Sequence, residues 1–435
     1  MIRRFYGKIY NIMGNIIGLK KGIVKLHKHK KQWKKIASDT IVSLYKVFGE
    51  KAVDIQHVGS TSIIHIKAKP IIDIAVAVNN LNDVKPLIPS LEDIGVIYKP
   101  NVIIAGEMYF VIKGLENGIF THHIHVVLSD SKEWINYINF RNYLNAKPAV
   151  AKQYEDLKIN LMKRYKHNRL AYTEGKSELI NRILKSAFSW SYLGKTVTVT
   201  VDRPMGSKHP IFTESLYSVN YGYIDGIAAG DNESQDAYIV GVKEPLVSFT
   251  GIVTGVVYRK DDVEDKWVVA PVKSVFNQAE IAEAVYTFEK YFDTYIDSIY
   301  QKSCGVIVYR KVNGNIEYLL VKEHESSGWS FPKGHMEAFE SETDTAVREV
   351  SEETGITVIP DTRFRRSVTY NIQPVYTKEV VFNISKYNGE VNVNKSEIDE
   401  AGWFNISEAK KRLRYIELCS VLEDAEEYIG NLIEN

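Results

Sequence analysis

Two cysteines in 435 residues, Cys304 and Cys419, are too few for a disulfide framework or a zinc cluster. That usage predicts inert thiols in a reducing compartment. No stretch is long and apolar enough to cross a bilayer, so no stable membrane insertion is expected. The formal net charge is +1, which provides no global field to draw nucleic acid, and no nucleic-acid partner is expected. Internal repeats and low-complexity linkers are also lacking. Residues 1–22 have neither the clean apolar centre nor the cleavage site of a signal peptide. With Arg3, Arg4, Lys8, Lys20 and Lys21 they read as a basic extension, either frayed or an interfacial amphipathic helix, with Met13 as an alternative start. These absences together predict a cytoplasmic chain, and its length predicts two to four domains.

What is present falls into three textures. Residues 23–188 alternate strand and helix patterns: Pro70–Val78 reads as a buried strand, and 133–186 carries apolar residues at helical spacing. Residues 189–298 turn to short strands, with Thr and Val alternating over Lys195–Val201, which predicts a small barrel closed by one helix over Ala279–Ile296. Residues 299–435 open with strand Gly305–Arg310, a turn at Asn313-Gly314 and strand Ile316–Val321. An acidic helix over 342–353, further strands and a last helix follow.

The densest chemistry lies in 334–356. Positions three and four apart on a helix share a face, so Glu349, Glu352 and Glu353 project together. Three carboxylates on one face repel one another, and carboxylate oxygens are the ligands that magnesium prefers. Glu340 and Arg348 have opposite charges and should pair, bracing the preceding loop. Ser341 and Asp344 form a capping-box pattern, and Gly355 suits a left-handed helix end. The spacing Gly334-x5-Glu340-x7-Arg348-Glu349-x2-Glu352-Glu353-x-Gly355 is similar to the Nudix box of the Nudix hydrolases. The resemblance implies an α/β/α sandwich that hydrolyses a nucleoside diphosphate linkage with Mg2+ or Mn2+. It makes Glu349, Glu352, Glu353 and the carbonyl of Gly334 the metal ligands, with one glutamate activating water. The flanks Ser303–Arg310, Gly328–His335 and Lys378–Phe382 resemble the asymmetrical diadenosine tetraphosphate hydrolases. Lys333 and Lys378 would then face phosphate, or else read as ordinary surface lysines. Glu379 reads as an extra ligand or base, or as a surface acid; Trp329 and Tyr370 read as base-stacking surfaces or core. Phe339 stands where relatives often have glycine, and Trp403 reads as core.

The middle segment places Tyr221 before Asp231, Glu233 and Asp236, and later Asp261, Asp262, Glu264, Asp265 and Lys266. Acids converging from strand ends are what a multi-metal phosphate site needs, and acidic turns are the alternative. Their order resembles family I inorganic pyrophosphatases. It implies Asp231, Asp236 and Asp265 as metal ligands, Tyr221 as the site tyrosine, and Lys266 or Lys208 on phosphate. The family's early Lys-Tyr-Glu segment is missing, and Lys290-Tyr291 reverses its late Tyr-Lys pair.

In the first segment, His57-Val-Gly59-Ser60 precedes Asp73, and a Gly-Ser turn can offer amides to phosphate. His123 and His125 alternate on a strand and so face one side, as ligands or as satisfied histidines. With Phe140-Arg141, Tyr143 and Tyr172-Thr-Glu174-x-Lys176, the pattern resembles the GrpB-like family and, through it, a nucleotidyltransferase-like α/β fold. Ala75 replaces the second carboxylate that active nucleotidyltransferases place there.

The expectation is thus a multidomain α+β chain. It joins a nucleotidyltransferase-like domain (23–188), a small pyrophosphatase-like β-barrel (189–298) and a Nudix domain (299–435) that cleaves dinucleoside polyphosphates or related nucleotides. The alternatives are inorganic pyrophosphate as the main substrate, or a nucleotide-binding sensor with partly inactive domains.

Overall fold

A computed structural model describes residues 16–20, 22–102, 104–114, 118–166, 168–208, 215–230, 233–324, 328–373 and 375–434. The chain forms two compact units, Met1–Ser191 and Tyr192–Asn435. No helix among the described residues is long and apolar enough to cross a membrane. The predicted extension lies mostly outside the described residues, as does Asp231.

The first unit is built on strands β1 (Leu19–Lys20), β2 (Ala52–Val58), β3 (Ile72–Val78), β4 (Val96–Tyr98), β5 (Glu107–Lys113) and β6 (Ile119–Leu128). Their order is β2-β3-β6-β5-β4, with β1 on β6. As Pro70–Val78 predicts, β3 is the central strand. All of its residues are buried except the half-buried Asp73. It runs parallel to β6. Helix α1 (Lys31–Phe48) lays Trp33, Ile36, Ala37, Leu44 and Phe48 on the sheet. A short helix α2 (Ile88–Asp93) precedes β4. Helices α3 (Lys132–Ala146), α4 (Pro148–Arg164), α5 (Arg169–Glu174) and α6 (Ser177–Trp190) complete the unit. Tyr143, Tyr154, Ile183 and Ala187 from these helices enclose Ile63 and Ile66.

The second unit begins with β7 (Thr196–Arg203), β8 (Asn220–Ala228), β9 (Ser234–Ile239), β10 (Ser248–Arg259), β11 (Lys266–Ala270) and β12 (Thr294–Ser298). The order β11-β9-β8-β7-β10 closes on itself through β10–β11, giving a five-stranded barrel with β12 added to β10. In β7 the Thr/Val alternation works as pleating dictates: Val197 and Val199 are buried, while Thr196 and Thr198 are exposed. The helix expected over Ala279–Ile296 is shorter. Helix α7 (Gln278–Glu289) starts on an Asn277/Glu280 capping box and stops at Glu289. The Glu289 carboxylate is buried on Arg259 (2.7 and 3.0 Å) and on the Tyr238 hydroxyl (2.6 Å). The chain turns there, and Thr294–Ser298 pairs with β10 as a strand.

The same unit continues through β13 (Tyr300–Val312), β14 (Asn315–Glu323), β15 (Lys333–His335), helix α8 (Glu342–Thr354), β16 (Asp361–Gln373), β17 (Tyr376–Lys386), β18 (Ile398–Phe404), α9 (Ile406–Arg412) and α10 (Ile416–Glu434). The sheet runs β16-β17-β13-β14-β18, with β15 on β13. Asn313 and Gly314 have φ of 49° and 84°, the left-handed pair that the predicted hairpin turn requires. Along β13, Cys304, Val306 and Val308 face Ala346 and Val350 of α8. Ile307 points instead to the core shared with Leu418, Leu422 and Ile429 of α10. Helices therefore cover both faces, an α/β/α sandwich. Burial raises the Cys304 thiol to about 12, so it is inert as expected. Only Ile299 separates barrel strand β12 from sheet strand β13. Its N–H donates to the Thr254 carbonyl of the barrel at 2.9 Å, and its own carbonyl accepts the Thr377 N–H of β17 at 2.8 Å.

Candidate active site

Helix α8 begins on the predicted capping box: Ser341 Oγ accepts the Asp344 N–H at 3.1 Å, and Asp344 accepts the Ser341 N–H at 3.1 Å. It ends at Gly355 with φ 69°, a left-handed position cheap only for glycine. Between these ends, the expected Arg348–Glu340 pair is present and bidentate, at 2.6 and 2.9 Å. That guanidinium holds the Glu340 carboxyl down at about 2. Arg348 also reaches the His335 carbonyl at 2.9 Å, Glu349 at 2.9 Å and Glu352 at 3.1 Å. One residue thus ties the loop to the carboxylate face.

Gly334 on β15 lies directly under Glu349. A Cβ there would sit 1.9 Å from Glu349 Oε2, so only glycine lets the carboxylate lie against the backbone. Glu353 is 5% exposed and accepts the Lys333 N–H at 3.1 Å. Burial raises its pKa to about 8 despite nearby Lys333, and burial likewise raises Glu349 against the pull of Arg348. Glu352 is the exposed member. Among the described residues, no three His, Cys, Asp or Glu side chains already converge as a metal cage. The donor chemistry nevertheless fits a hard cation: carboxylate oxygens, two of them held under a burial penalty, beside a backbone stripped of its side chain.

Two clefts meet at this face. One, of ≈ 390 Å³, is bordered by Gly334, His335, Glu353 and His324. The other, of ≈ 190 Å³, is bordered by Trp329, Tyr370, Arg414 and Tyr415. Glu323, Lys333 and Lys378 line both. Lys333 donates to Glu323 at 2.6 Å. Burial opposes the Lys333 charge, but Glu323 outweighs it and raises the pKa. Lys378 is brought down to about 8 by burial and then by Lys333. Tyr370 stacks on Tyr415 with ring centres 5.4 Å apart. Sequence reasoning named Tyr370, Lys333 and Lys378 but missed Tyr415, Arg414 and Glu323, which come from distant segments with no shared local pattern. Trp329 packs edge-on against Phe404, Glu379 accepts from the Tyr300 hydroxyl at 3.0 Å, and Trp403 lies under the Arg310 guanidinium.

The barrel touches the loop before α8. Gln278 of α7 donates to the carbonyls of Lys302 (2.8 Å) and Met336 (3.0 Å) and accepts the Lys302 N–H at 3.1 Å. Glu283 accepts the N–H of Phe339 at 2.8 Å, and Tyr286 meets the Phe339 ring edge-on. Phe339 has φ 66°, the conformation that makes glycine the easier residue there.

The other predicted sites are arranged differently. In the barrel, Asp236 accepts from Tyr221 at 2.5 Å and from Lys266 at 2.6 Å, and Lys266 also pairs with Glu264. Asp265 is buried and accepts the Arg259 N–H at 3.2 Å. In the first unit, strand register sets Asp73 beside His123, and the two side chains pair at 3.2 Å. Burial opposes the Asp73 charge, but His123 keeps its pKa low. His125 instead pairs with Glu107 at 2.8 Å, beside the Tyr137 hydroxyl. Both imidazoles pack against Tyr109, so they share the predicted face. Gly59 has φ 67°, and a Cβ there would meet Asp73 Oδ2 at 2.4 Å. Ser60 Oγ lies 3.4 Å from the Tyr154 hydroxyl.

Comparison with known proteins covers both ends of the chain. The profile of the GrpB protein family matches residues 23–186, and that of the NUDIX domain matches 300–419. Over 171 residues the chain is 40% identical to the glutamate-rich protein GrpB of Alkalihalophilus pseudofirmus, spanning 39% of this chain and 98% of that one. Over 148 residues it is 30% identical to the asymmetrical bis(5'-nucleosyl)-tetraphosphatase of Sus scrofa, spanning 30% of this chain and 97% of that one. A crystal structure of a C. elegans Ap4A hydrolase binary complex matches at 27% identity and a TM-score of 0.29, covering 30% of this chain and 98% of that one.

Proposed function

Because the chain belongs to the Nudix family over residues 300–419 and to the GrpB family over 23–186, we propose that it is a divalent-metal hydrolase of dinucleoside polyphosphates. Phosphoanhydride hydrolysis comes with the Nudix family; the substrate, the metal and the residue roles are the proposal. The observation that carries it is the pair of adjoining clefts: one aromatic, one carboxylate-lined, with Lys333 and Lys378 common to both. A nucleoside fits the aromatic side with its base on Tyr415 or Tyr370. Its phosphate chain then runs past the two lysines toward Gly334 and Glu353.

Glu349, Glu352, Glu353 and the Gly334 carbonyl are the residues to hold Mg2+ or Mn2+. When bound, such a metal lowers the pKa of water and offsets charge on phosphate oxygens. Arg348 keeps the loop and the carboxylates in register through Glu340 and the His335 carbonyl. Glu352, the carboxylate most open to solvent, is the one placed to take a proton from attacking water. Incubating the protein with diadenosine tetraphosphate and Mg2+, and resolving the products by ion-exchange chromatography, is the test. Release of ATP and AMP is expected. An inert protein across dinucleoside tri-, tetra- and pentaphosphates would defeat the substrate assignment.

A further inference from the structure

Helix α7 belongs to the barrel, yet it reaches the loop that carries the hydrolase site. Its Ile281 and Val285 pack in the barrel core with Val257 and Val268, and an Asn277/Glu280 capping box fixes its first turn. Gln278, Glu283 and Tyr286 are turned to the loop between β15 and α8. That loop joins Gly334 to the helix bearing Glu349, Glu352 and Glu353.

Gln278 extends a strand ladder with its side chain. β13 and β15 pair antiparallel through Gly305–Lys333, Cys304–Gly334 and Ser303–His335. The next pair in that register is Lys302 and Met336, and the Gln278 amide spans it. It donates to both carbonyls, at 2.8 and 3.0 Å, and accepts the Lys302 N–H at 3.1 Å. Only His335 separates this anchor from Gly334. At the far end of the loop, Phe339 holds φ 66°, a costly conformation for a residue with a Cβ. Its N–H donates to Glu283 at 2.8 Å, and its ring meets Tyr286 edge-on with centres 5.0 Å apart. The next residue, Glu340, is the bidentate partner of Arg348. The barrel thus grips the loop at both ends.

We propose that Gln278, Glu283 and Tyr286 are positioning residues of the hydrolase centre: by holding this loop, they set how tightly the site takes its divalent cation. A loop ordered only when the ion arrives subtracts its ordering entropy from the affinity, and a loop held beforehand does not. An uncharged amide suits the Gln278 position, because it satisfies two carbonyls and an N–H without placing a charge beside the cation. Phe339, in place of a glycine, supplies the ring that Tyr286 holds. The barrel, which lies between the stretches matched to the GrpB and NUDIX families, thereby acts in the chemistry of the sheet that follows it. This inference rests on the hydrolase reading of that site.

The test is a Mn2+ titration of the full chain, freed of metal with EDTA and dialysed, in which electron paramagnetic resonance counts the unbound ion. Wild type should show a tight site that Glu349→Gln removes. Gln278→Ala and the double variant Glu283→Ala/Tyr286→Ala should each weaken that site about tenfold, the low end for outer partners of metal ligands. Glu283→Gln/Tyr286→Phe keeps an acceptor oxygen and a ring, and should retain the wild-type affinity. Val199→Ala cuts a fully buried side chain on β7, so it should lower Tm and leave Mn2+ affinity alone. If Gln278→Ala does not fold, the double variant decides. No Mn2+ binding, or a tight site that survives Glu349→Gln, would remove the metal centre and this proposal with it. Affinity unchanged in the Glu283→Ala/Tyr286→Ala protein, or lowered equally by Val199→Ala, would overturn the positioning role alone.

Discussion

The barrel and the sheet that follows it each bring several carboxylates together, and they treat them in opposite ways. In the barrel, Lys266 sits between Asp236 and Glu264, Tyr221 adds a donor to Asp236, and Asp265 accepts a backbone amide. The cluster is neutralised from within. On α8, Arg348 spans Glu340, Glu349 and Glu352, while the buried Glu353 accepts the Lys333 N–H with the Lys333 charge nearby. Burial outweighs that lysine and raises the Glu353 pKa. The difference lies in how the cation meets the acids: Lys266 bonds two barrel carboxylates directly, whereas at Glu353 burial prevails over the nearby Lys333.

That contrast can be broken experimentally. The largest effect should come from Glu352→Gln: hydrolysis of diadenosine tetraphosphate should fall about 10²–10⁴-fold, the usual worth of a general base, with little change in Tm because the side chain is exposed. EDTA should abolish turnover and added Mg2+ restore it. An active Glu352→Gln protein would place the chemistry elsewhere. Next, Lys266→Met should leave the buried Glu264 and Asp236 without their cation, costing about 3–5 kcal/mol in denaturant unfolding. Hydrolysis per folded molecule should stay at the wild-type level; a matching loss of turnover would make the barrel cluster catalytic after all. Tyr415→Ala removes one aromatic surface, and KM should rise about tenfold with kcat nearly constant, since stacking on a base is worth about 1–3 kcal/mol. Smallest is Gln278→Ala. Losing the bonds to Lys302 and Met336 should cost about 1–2 kcal/mol and slow kcat a few-fold. An unchanged kcat would show that α7 does not position the loop.

The α8 region was legible because its geometry is local. Helical spacing alone places Glu349 beside Glu352 and Glu353, and the Ser341 and Gly355 ends follow from short-range rules. The Asp73–His123 pair was foreshadowed by residue type, but its partner choice came from the parallel register of β3 and β6. Tyr415 was illegible because it meets Tyr370 only once the sheet and α10 are assembled. The over-long helix after Ala279 had a physical cause too: apolar residues recur through Ile296, yet the burial of Glu289 on Arg259 ends the helix, and no periodicity reports that.

Ile299 has a mechanical corollary. With one hydrogen bond to each neighbour and no residues to spare, it joins the barrel to the sheet without a linker. A single peptide thus bridges β10 to β17, where Lys378 follows Thr377. The backbone that carries this cleft lysine is therefore hydrogen-bonded, one residue away, to the junction with the barrel.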